Sequence, residues 1–356
     1  MSRPPLFPET LAGEASAVRL AMEFDAEPLA AELRSLEQQP WRHQRPYSAG
    51  QVGKPIAQGW TCFPLHSPGG LLERTDPGGP ALVPFADTPA LSALPAMAKV
   101  LRELPCELRS ARLLALDAGA ELAEHRDEFI GFGYGQLRLH IPIVTNPGAR
   151  LFIEGYEHNW KPGELWYANF ALPHFLRNDG AQRRVHLVVD CMLNDALLAL
   201  FPGWFRDRVG ALAYVSNRPR TTPAPLPALS EFLLPAPLDT DLLAHLPETG
   251  HDDGPGRSSA TCHDGVPRPA AGVADSTGEP IDRAQAWLER KPEGLVLRTA
   301  GGAQTALVPI GAYEYRFEGW TDERTIDLGQ LPDRVVLHDR RNWWHRTWSC
   351  PVRSTA

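Results

Sequence analysis

Two histidines and an aspartate are the residues of this sequence best suited to chemistry. His125 and Asp127 form an H-x-D pair, and His174 follows 47 residues after the aspartate. Alternate residues of an extended segment face the same way, so the pair projects together. Two imidazoles and one carboxylate, with further positions open, form the facial arrangement of non-haem Fe(II) oxygenases, where iron needs the open positions for a co-substrate and oxygen. An H-x-D pair alone is a weak signal, because a lone histidine is more often a surface or core residue than a ligand. Its weight rises with Arg184, ten residues beyond His174 across Asn178-Asp179-Gly180. Those turn residues tolerate positive φ, and the spacing predicts a hairpin with His174 and Arg184 opposite each other on one face. A guanidinium fork there suits the far carboxylate of a dicarboxylate whose other end chelates the metal.

The elements that must position these residues are short and β-rich. Residues 110–117, 137–145, 150–156, 164–170, 174–177 and 184–191 read as strands separated by Gly, Pro or Asn-Asp-Gly turns. A spacing of about 8–12 residues is the signature of an antiparallel sandwich or barrel and is too tight for the crossover helices of a parallel sheet. Helical patterns come first, with Leu29, Leu33 and Leu36 on one stripe and Leu94, Met97, Val100, Leu101 and Leu104 on another, and a short helix is expected at 194–201. Arg138 and His140 share a strand face, with Leu139 and Ile141 on the other. Arg184 and His186 alternate with Val185, Leu187 and Val189, so the side opposite Arg184 is expected to be dry.

The combination of His125-x-Asp127, Arg138-Leu139-His140-Ile141-Pro142, G-E-x-W-Y-x-N at 163–169, His174 and R-x-H-L-x-x-D at 184–190 resembles the aspartyl/asparaginyl β-hydroxylase family of Fe(II)/2-oxoglutarate-dependent dioxygenases, which includes proline hydroxylase-like bacterial members. The resemblance covers about residues 100–200. It implies a mainly β protein, a double-stranded β-helix of jelly-roll, cupin-like type with flanking helices. It implies that His125, Asp127 and His174 are the iron ligands and catalytic centre, that Arg184 anchors the distal carboxylate of 2-oxoglutarate, that His140 meets its C1 end and that Arg138 contacts a substrate carboxylate. The cofactors implied are Fe(II), 2-oxoglutarate and O2. The reaction implied is hydroxylation of an unactivated C–H bond of an amino acid, free or as a residue in a peptide or on a carrier. Asp127 stands where some members carry glycine, which removes one route to halogenation. The rival readings are a cupin-like non-oxidative metalloenzyme, a lyase or isomerase, and a non-catalytic metal- or ligand-binding module. A non-oxidative metalloenzyme has no need for a dicarboxylate anchor at Arg184.

Other residues support two readings each. Trp160 and Trp166 are core or pocket wall, His186 packs or supports a neighbour, and Asn169 orients a ligand or closes a turn. Gly131–Gly135 is glycine-rich, but no helix pattern follows to present its N-terminus to a phosphate, so it reads as a mobile lip between strands beside the metal. The basic, aromatic run at 339–348 reads as a strand mixing core tryptophans with exposed arginines.

Composition bounds the partners. With 35 Lys+Arg against 43 Asp+Glu the net charge is -8, which argues against nucleic-acid binding and leaves local arginines to attract an acidic co-substrate. Five scattered cysteines without a C-x-x-C pair, no N-terminal apolar signal region and no apolar run of ~18 residues read as a cytoplasmic protein with no membrane partner. The 35 prolines and 30 glycines divide between strand turns and a Pro/Gly-rich linker at 219–280. This predicts a dioxygenase domain over 1–218 and a small C-terminal α+β domain over 281–356. The latter would open with a helix at 281–290, and peptide or carrier recognition, a homodimer contact and structural support are all open to it.

Overall fold

The computed structural model describes residues 11, 13–48, 51–55, 57–79, 83–127, 129–212, 214–226, 231–235, 283–299, 304–340 and 346–353. The N-terminal part runs β1 (Ala17–Glu23), α1 (Ala26–Ser35), β2 (Arg42–His43), β3 (Tyr47–Ser48), β4 (Gln51–Val52), β5 (Trp60–Pro68), β6 (Phe85–Asp87), α2 (Pro95–Glu103), β7 (Leu108–Leu116), β8 (Glu121–His125), β9 (Gln136–Val144), β10 (Ala149–Ile153), β11 (Tyr156–His158), β12 (Glu164–Ala168), β13 (His174–Asn178), β14 (Arg184–Met192), α3 (Asp195–Leu198) and α4 (Gly203–Gly210). The larger antiparallel sheet has the order β1-β12-β9-β14-β7-β5-β2, with β6 on β5, and the smaller has the order β11-β10-β13-β8. Together they form the expected jelly roll.

Period-2 alternation assigns the two faces of the larger sheet. Leu137, Leu139 and Ile141 of β9 and Val185, Leu187 and Val189 of β14 join Leu29, Met97, Leu101, Phe205 and Val209 in one apolar cluster, so the helices cover this face. The helices also brace each other. The Glu32 carboxylate of α1 accepts from Ala96 N at 2.6 Å and Met97 N at 2.9 Å, capping the first turn of α2, where backbone N–H groups have no helical partner. The opposite face of β9 and β14 carries Arg138, His140, Arg184, His186 and Asp190 into the interior, which agrees with a dry side opposite Arg184.

The expected hairpin does not form. β13 pairs with β10 and β8, whereas β14 pairs with β7 and β9, so residues 179–183 carry the chain from one sheet to the other. All nine residues of β14 are buried, which the centre of the larger sheet provides and a hairpin in the smaller sheet would not. The Gly131–Gly135 segment is likewise no mobile lip. It is a 3-10 turn whose Phe132 is buried edge-on against Tyr167 at 5.3 Å and Phe201 at 5.5 Å.

The C-terminal part is a closed antiparallel barrel of β15 (Glu231–Pro235), β16 (Arg283–Lys291), β17 (Gly294–Thr299), β18 (Gln304–Pro309), β19 (Glu314–Phe317), β20 (Arg324–Asp327), β21 (Arg334–Asp339) and β22 (Arg346–Arg353). Phe232, Leu288, Leu297, Leu307, Phe317, Ile326 and Leu337 belong to its core. Three expectations change. The domain is β rather than α+β among the described residues, and the helix expected at 281–290 is replaced by β16. Part of the expected linker is structured, since β15 lies within 219–280 and Thr221 N and Ala224 N donate to Pro309 O and Ala312 O at 2.9 and 2.8 Å. Residues 236–282, and with them Cys262, lie outside the described residues, as do Trp343 and Trp344; Trp348 packs on the barrel core. Cys62, Cys106 and Cys191 are free thiols. No described helix is long and apolar enough to cross a membrane.

Register places Ser110, Asp190 and Arg138 in one row across β7, β14 and β9. Asp190 is fully buried and accepts from Ser110 Oγ at 2.9 Å, Arg112 Nη2 at 2.6 Å, and Arg138 Nε and Nη2 at 2.6 and 3.0 Å. Burial alone would raise its pKa, but Arg138 and Arg112 outweigh burial and hold it at about 2. Removing the carboxylate leaves the buried Arg112 without a counter-charge and Arg138 with Asp127 alone, so Asp190→Ala is expected to cost about 3–5 kcal/mol in chemical denaturation. Because the folded-state pKa lies below the unfolded one, wild-type stabilisation from Asp190 is complete above about pH 4 and is lost as pH falls through about 2. A variant within ~0.5 kcal/mol of wild type would show the row to be dispensable.

Candidate functional site

His125 ends β8 and His174 begins β13, and the two residues are direct cross-strand partners with ring centroids 4.2 Å apart. Asp127 follows two residues after β8, its backbone N–H tied to Phe170 O at 2.9 Å. One donor atom from each of His125, Asp127 and His174 lies within 4.8 Å of the others, so the structure brings together the three residues singled out as ligands. Both rings are oriented alike. His125 Nδ1 lies 2.9 Å from Ala123 O and His174 Nδ1 lies 2.9 Å from Leu172 O. A carbonyl can only accept, so each Nδ1 carries the proton and each Nε2 presents a lone pair. His174 is 2% exposed, and burial pushes its pKa down to about 4 against the opposing charge of Asp127, so it is neutral at pH 7. Two imidazoles fixed by backbone carbonyls, with a carboxylate beside them, fit a divalent metal of the Fe(II) type.

Arg138 is on the expected face, but its donors are engaged. Nε and Nη2 bind Asp190, and Nη1 binds Asp127. In this arrangement it orients the Asp127 carboxylate, and Nε, Nη1 and Nη2 each already have an acceptor. Sequence reasoning gave no role to Asp190, Arg112 or Ser110. The signal was present in the even spacing of Arg184, His186 and Asp190, which puts a carboxylate on the same interior face.

Arg184 is 5% exposed and has no carboxylate partner among the described residues; its Nη2 donates to His186 Nδ1 at 2.8 Å. Burial lowers its pKa to about 9, which leaves it charged at pH 7. It lines a narrow cleft with His158, Trp160, Leu151, Leu176 and His186. Since His186 Nδ1 accepts from Arg184, His140 Nδ1, 3.3 Å from the same atom, must be a donor. His140 Nε2 is then a buried lone pair without a partner. Burial, followed by the charge of Arg184, holds the pKa of both histidines well below the usual range, so both are neutral. His140 sits against Phe170 at 4.9 Å and Trp160 at 5.5 Å, and Trp160 stacks on Trp166 at 5.3 Å. Trp160 is therefore both core and cleft wall. The backbone of Asn169 closes a turn, with Leu172 N donating to Asn169 O at 3.1 Å.

Residues 23–193 match the family model described as "Aspartyl/Asparaginyl beta-hydroxylase". A search of curated proteins finds no match. Similar solved structures include a 2OG-Fe(II) oxygenase family oxidoreductase from Burkholderia pseudomallei, at 12% identity and TM-score 0.35 over 54% of this chain and 92% of that one. They also include a prolyl-4-hydroxylase from Pseudomonas putida, at 18% identity and TM-score 0.31 over 52% and 96%. A third is HygX from Streptomyces hygroscopicus with nickel and 2-oxoglutarate bound, at 11% identity and TM-score 0.31 over 50% and 82%. The matched segment contains the H-x-D pair, His174 and Arg184, so residues 23–193 of this chain are similar to the aspartyl/asparaginyl β-hydroxylase family.

Proposed function

We propose that this chain is an Fe(II)- and 2-oxoglutarate-dependent dioxygenase that hydroxylates an amino acid, or an amino-acid residue in a peptide or on a carrier. The observation that carries the reading is Arg184, a buried guanidinium with no carboxylate partner among the described residues, in the same interior as a His-Asp-His cluster. A cation buried without a counter-charge is costly, and a dicarboxylate co-substrate offsets that cost while its other end reaches the metal.

His125, Asp127 and His174 would hold Fe(II), and Arg184 would hold the distal carboxylate of 2-oxoglutarate. Bound together, iron and 2-oxoglutarate supply the O2-derived oxidant for C–H hydroxylation. The side chains of this chain do the rest. Arg138 holds the Asp127 carboxylate in one orientation, and His186 braces Arg184. Trp160 and Leu176 wall the cleft from water, which strengthens the Arg184–carboxylate interaction. His140 lies between Arg184 and the triad, and donating to the co-substrate would require moving its proton to Nε2.

Under anaerobic conditions, Fe(II) plus 2-oxoglutarate should give wild type a weak visible charge-transfer band, and Asp127→Ala should lose both the band and hydroxylation. No band together with no 2-oxoglutarate turnover on any amino-acid pool would remove the oxygenase reading. For Arg184→Met, 2-oxoglutarate affinity is expected to fall at least about 30-fold, the equivalent of ~2 kcal/mol for a buried charged hydrogen bond. Titration of the anaerobic complex reads this directly, and an unchanged affinity reassigns the anchor.

A further inference from the structure

We propose that Arg109 is a second anion-binding residue, which holds a free carboxylate of the substrate at the outer end of the jelly-roll interior. The inference rests on the oxygenase reading above only for what happens at the metal; the binding site itself stands on its own geometry.

The pairing of β7 with β14 is irregular at this point. Asp190 opposes Ser110 but Cys191 opposes Leu108, so Arg109 is the extra residue of a bulge. Strict alternation would send its side chain with Ala111 and Leu113 into the apolar cluster beneath the helices. A bulge re-aims a side chain, and Nη1 of Arg109 instead donates to Gln136 Oε1, across the strand that carries Met192. Gln136 precedes Arg138 by two residues on β9, so it shares the interior face and lies ~7 Å further along the strand. Arg109 therefore stands one row beyond the Ser110–Asp190–Arg138 row.

The guanidinium of Arg109 is buried with part of its donor set unpaired. The residue is 6% exposed, its guanidinium lies over the Phe85 ring at 5.4 Å, and its Nε is buried without a partner. Its hydrogen-bond acceptor is a neutral amide, and no carboxylate among the described residues is within ion-pair distance. Asp190 is saturated by Ser110, Arg112 and Arg138. From the barrel, Glu318 and Arg316 act on Arg109 with opposite signs, and each has a partner, Arg220 and Glu107 respectively. Burial lowers the Arg109 pKa to about 10, which leaves it cationic at pH 7. A planar fork with unused donors beside an aromatic face suits a carboxylate. Arg138, the residue expected from sequence to do this, has its donors engaged by Asp127 and Asp190. Recognition at Arg109 selects an amino acid whose carboxylate is free and disfavours one joined to a carrier through that carboxylate.

Two volume-conserving variants of the full chain test this. Arg109→Met removes the cation, and Gln136→Glu supplies a resident carboxylate to it. In the metal-free protein, calorimetric titration with the common amino acids and their carboxamides should show wild type binding at least one acid ten or more times tighter than its amide. Arg109→Met should lose that preference through weaker acid binding. Gln136→Glu should lose it too while melting at or above the wild-type temperature, whereas a merely structural Arg109 would be stabilised by Gln136→Glu with acid binding intact. With Fe(II) and 2-oxoglutarate, Arg109→Met should raise KM for the acid at least about 30-fold and leave the charge-transfer band unchanged, in keeping with loss of a charged hydrogen bond. Equal binding of acids and amides by wild type, or an undiminished preference in folded Arg109→Met, overturns the proposal even if the band is present. Absence of the band in wild type overturns the oxygenase reading, and the calorimetric arm still decides the role of Arg109.

Discussion

The interior of the jelly roll depends on one carboxylate. Asp190 lies at the centre of the larger sheet, where water cannot solvate charge, and it compensates Arg112 from one neighbouring strand and Arg138 from the other. Arg138 in turn reaches Asp127, so charge alternates in sign from Arg112 through Asp190 and Arg138 to the candidate metal ligand. Arg112 and Asp190 are fully buried, and each is so only because its neighbour is present. The chain fixes the register of three strands and the orientation of Asp127 together. A lesion in the sheet and a lesion at the site are therefore hard to separate, because the same bonds serve both.

Against this compensated row, Arg184 and Arg109 stand as two buried guanidiniums without carboxylate partners among the described residues. The protein as a whole is acidic, so a negatively charged small molecule gains nothing from the net field and must be attracted by local cations. Keeping those cations dry makes them effective at short range and leaves them costly when empty, which is the electrostatic form of a preorganised site.

Much of this was legible in the sequence. The H-x-D spacing, the six central strands and the dry side of β14 follow from period-2 alternation, because a local pattern is enough to specify a face. Properties that depend on distant partners were not legible. Asn178-Asp179-Gly180 has the chemistry of a hairpin turn, yet β14 is apolar enough along its length to be drawn into the middle of the other sheet. Residues 283–291 read RAQAWLERK, rich in helix formers, but pairing with β15 and β17 overrides propensity and leaves Ala286 and Leu288 inside the barrel. The bulge that turns Arg109 inward exists only in the registry between β7 and β14, and no single-strand pattern encodes it. Asp190 had the right spacing, but an aspartate in an apolar strand acquires meaning only once its two arginines are seen.

The barrel touches the turn after Asp127, with Thr321 Oγ1 donating to Tyr134 O at 2.6 Å and Trp320 lying 6.2 Å from Phe129, whose φ of 55° is in the left-handed region. Its own closure has a temporal consequence. β15 and β22, the first and last strands, pair with each other, and β22 runs to Arg353. On a ribosome making the chain from the N-terminus, the jelly-roll strands emerge first and can assemble while the barrel is still incomplete. Until β22 is released, β15 lacks one of its two neighbours and presents an open hydrogen-bonding edge to the cell. The part of the molecule most exposed to mispairing at birth is thus the one that is without edges when mature.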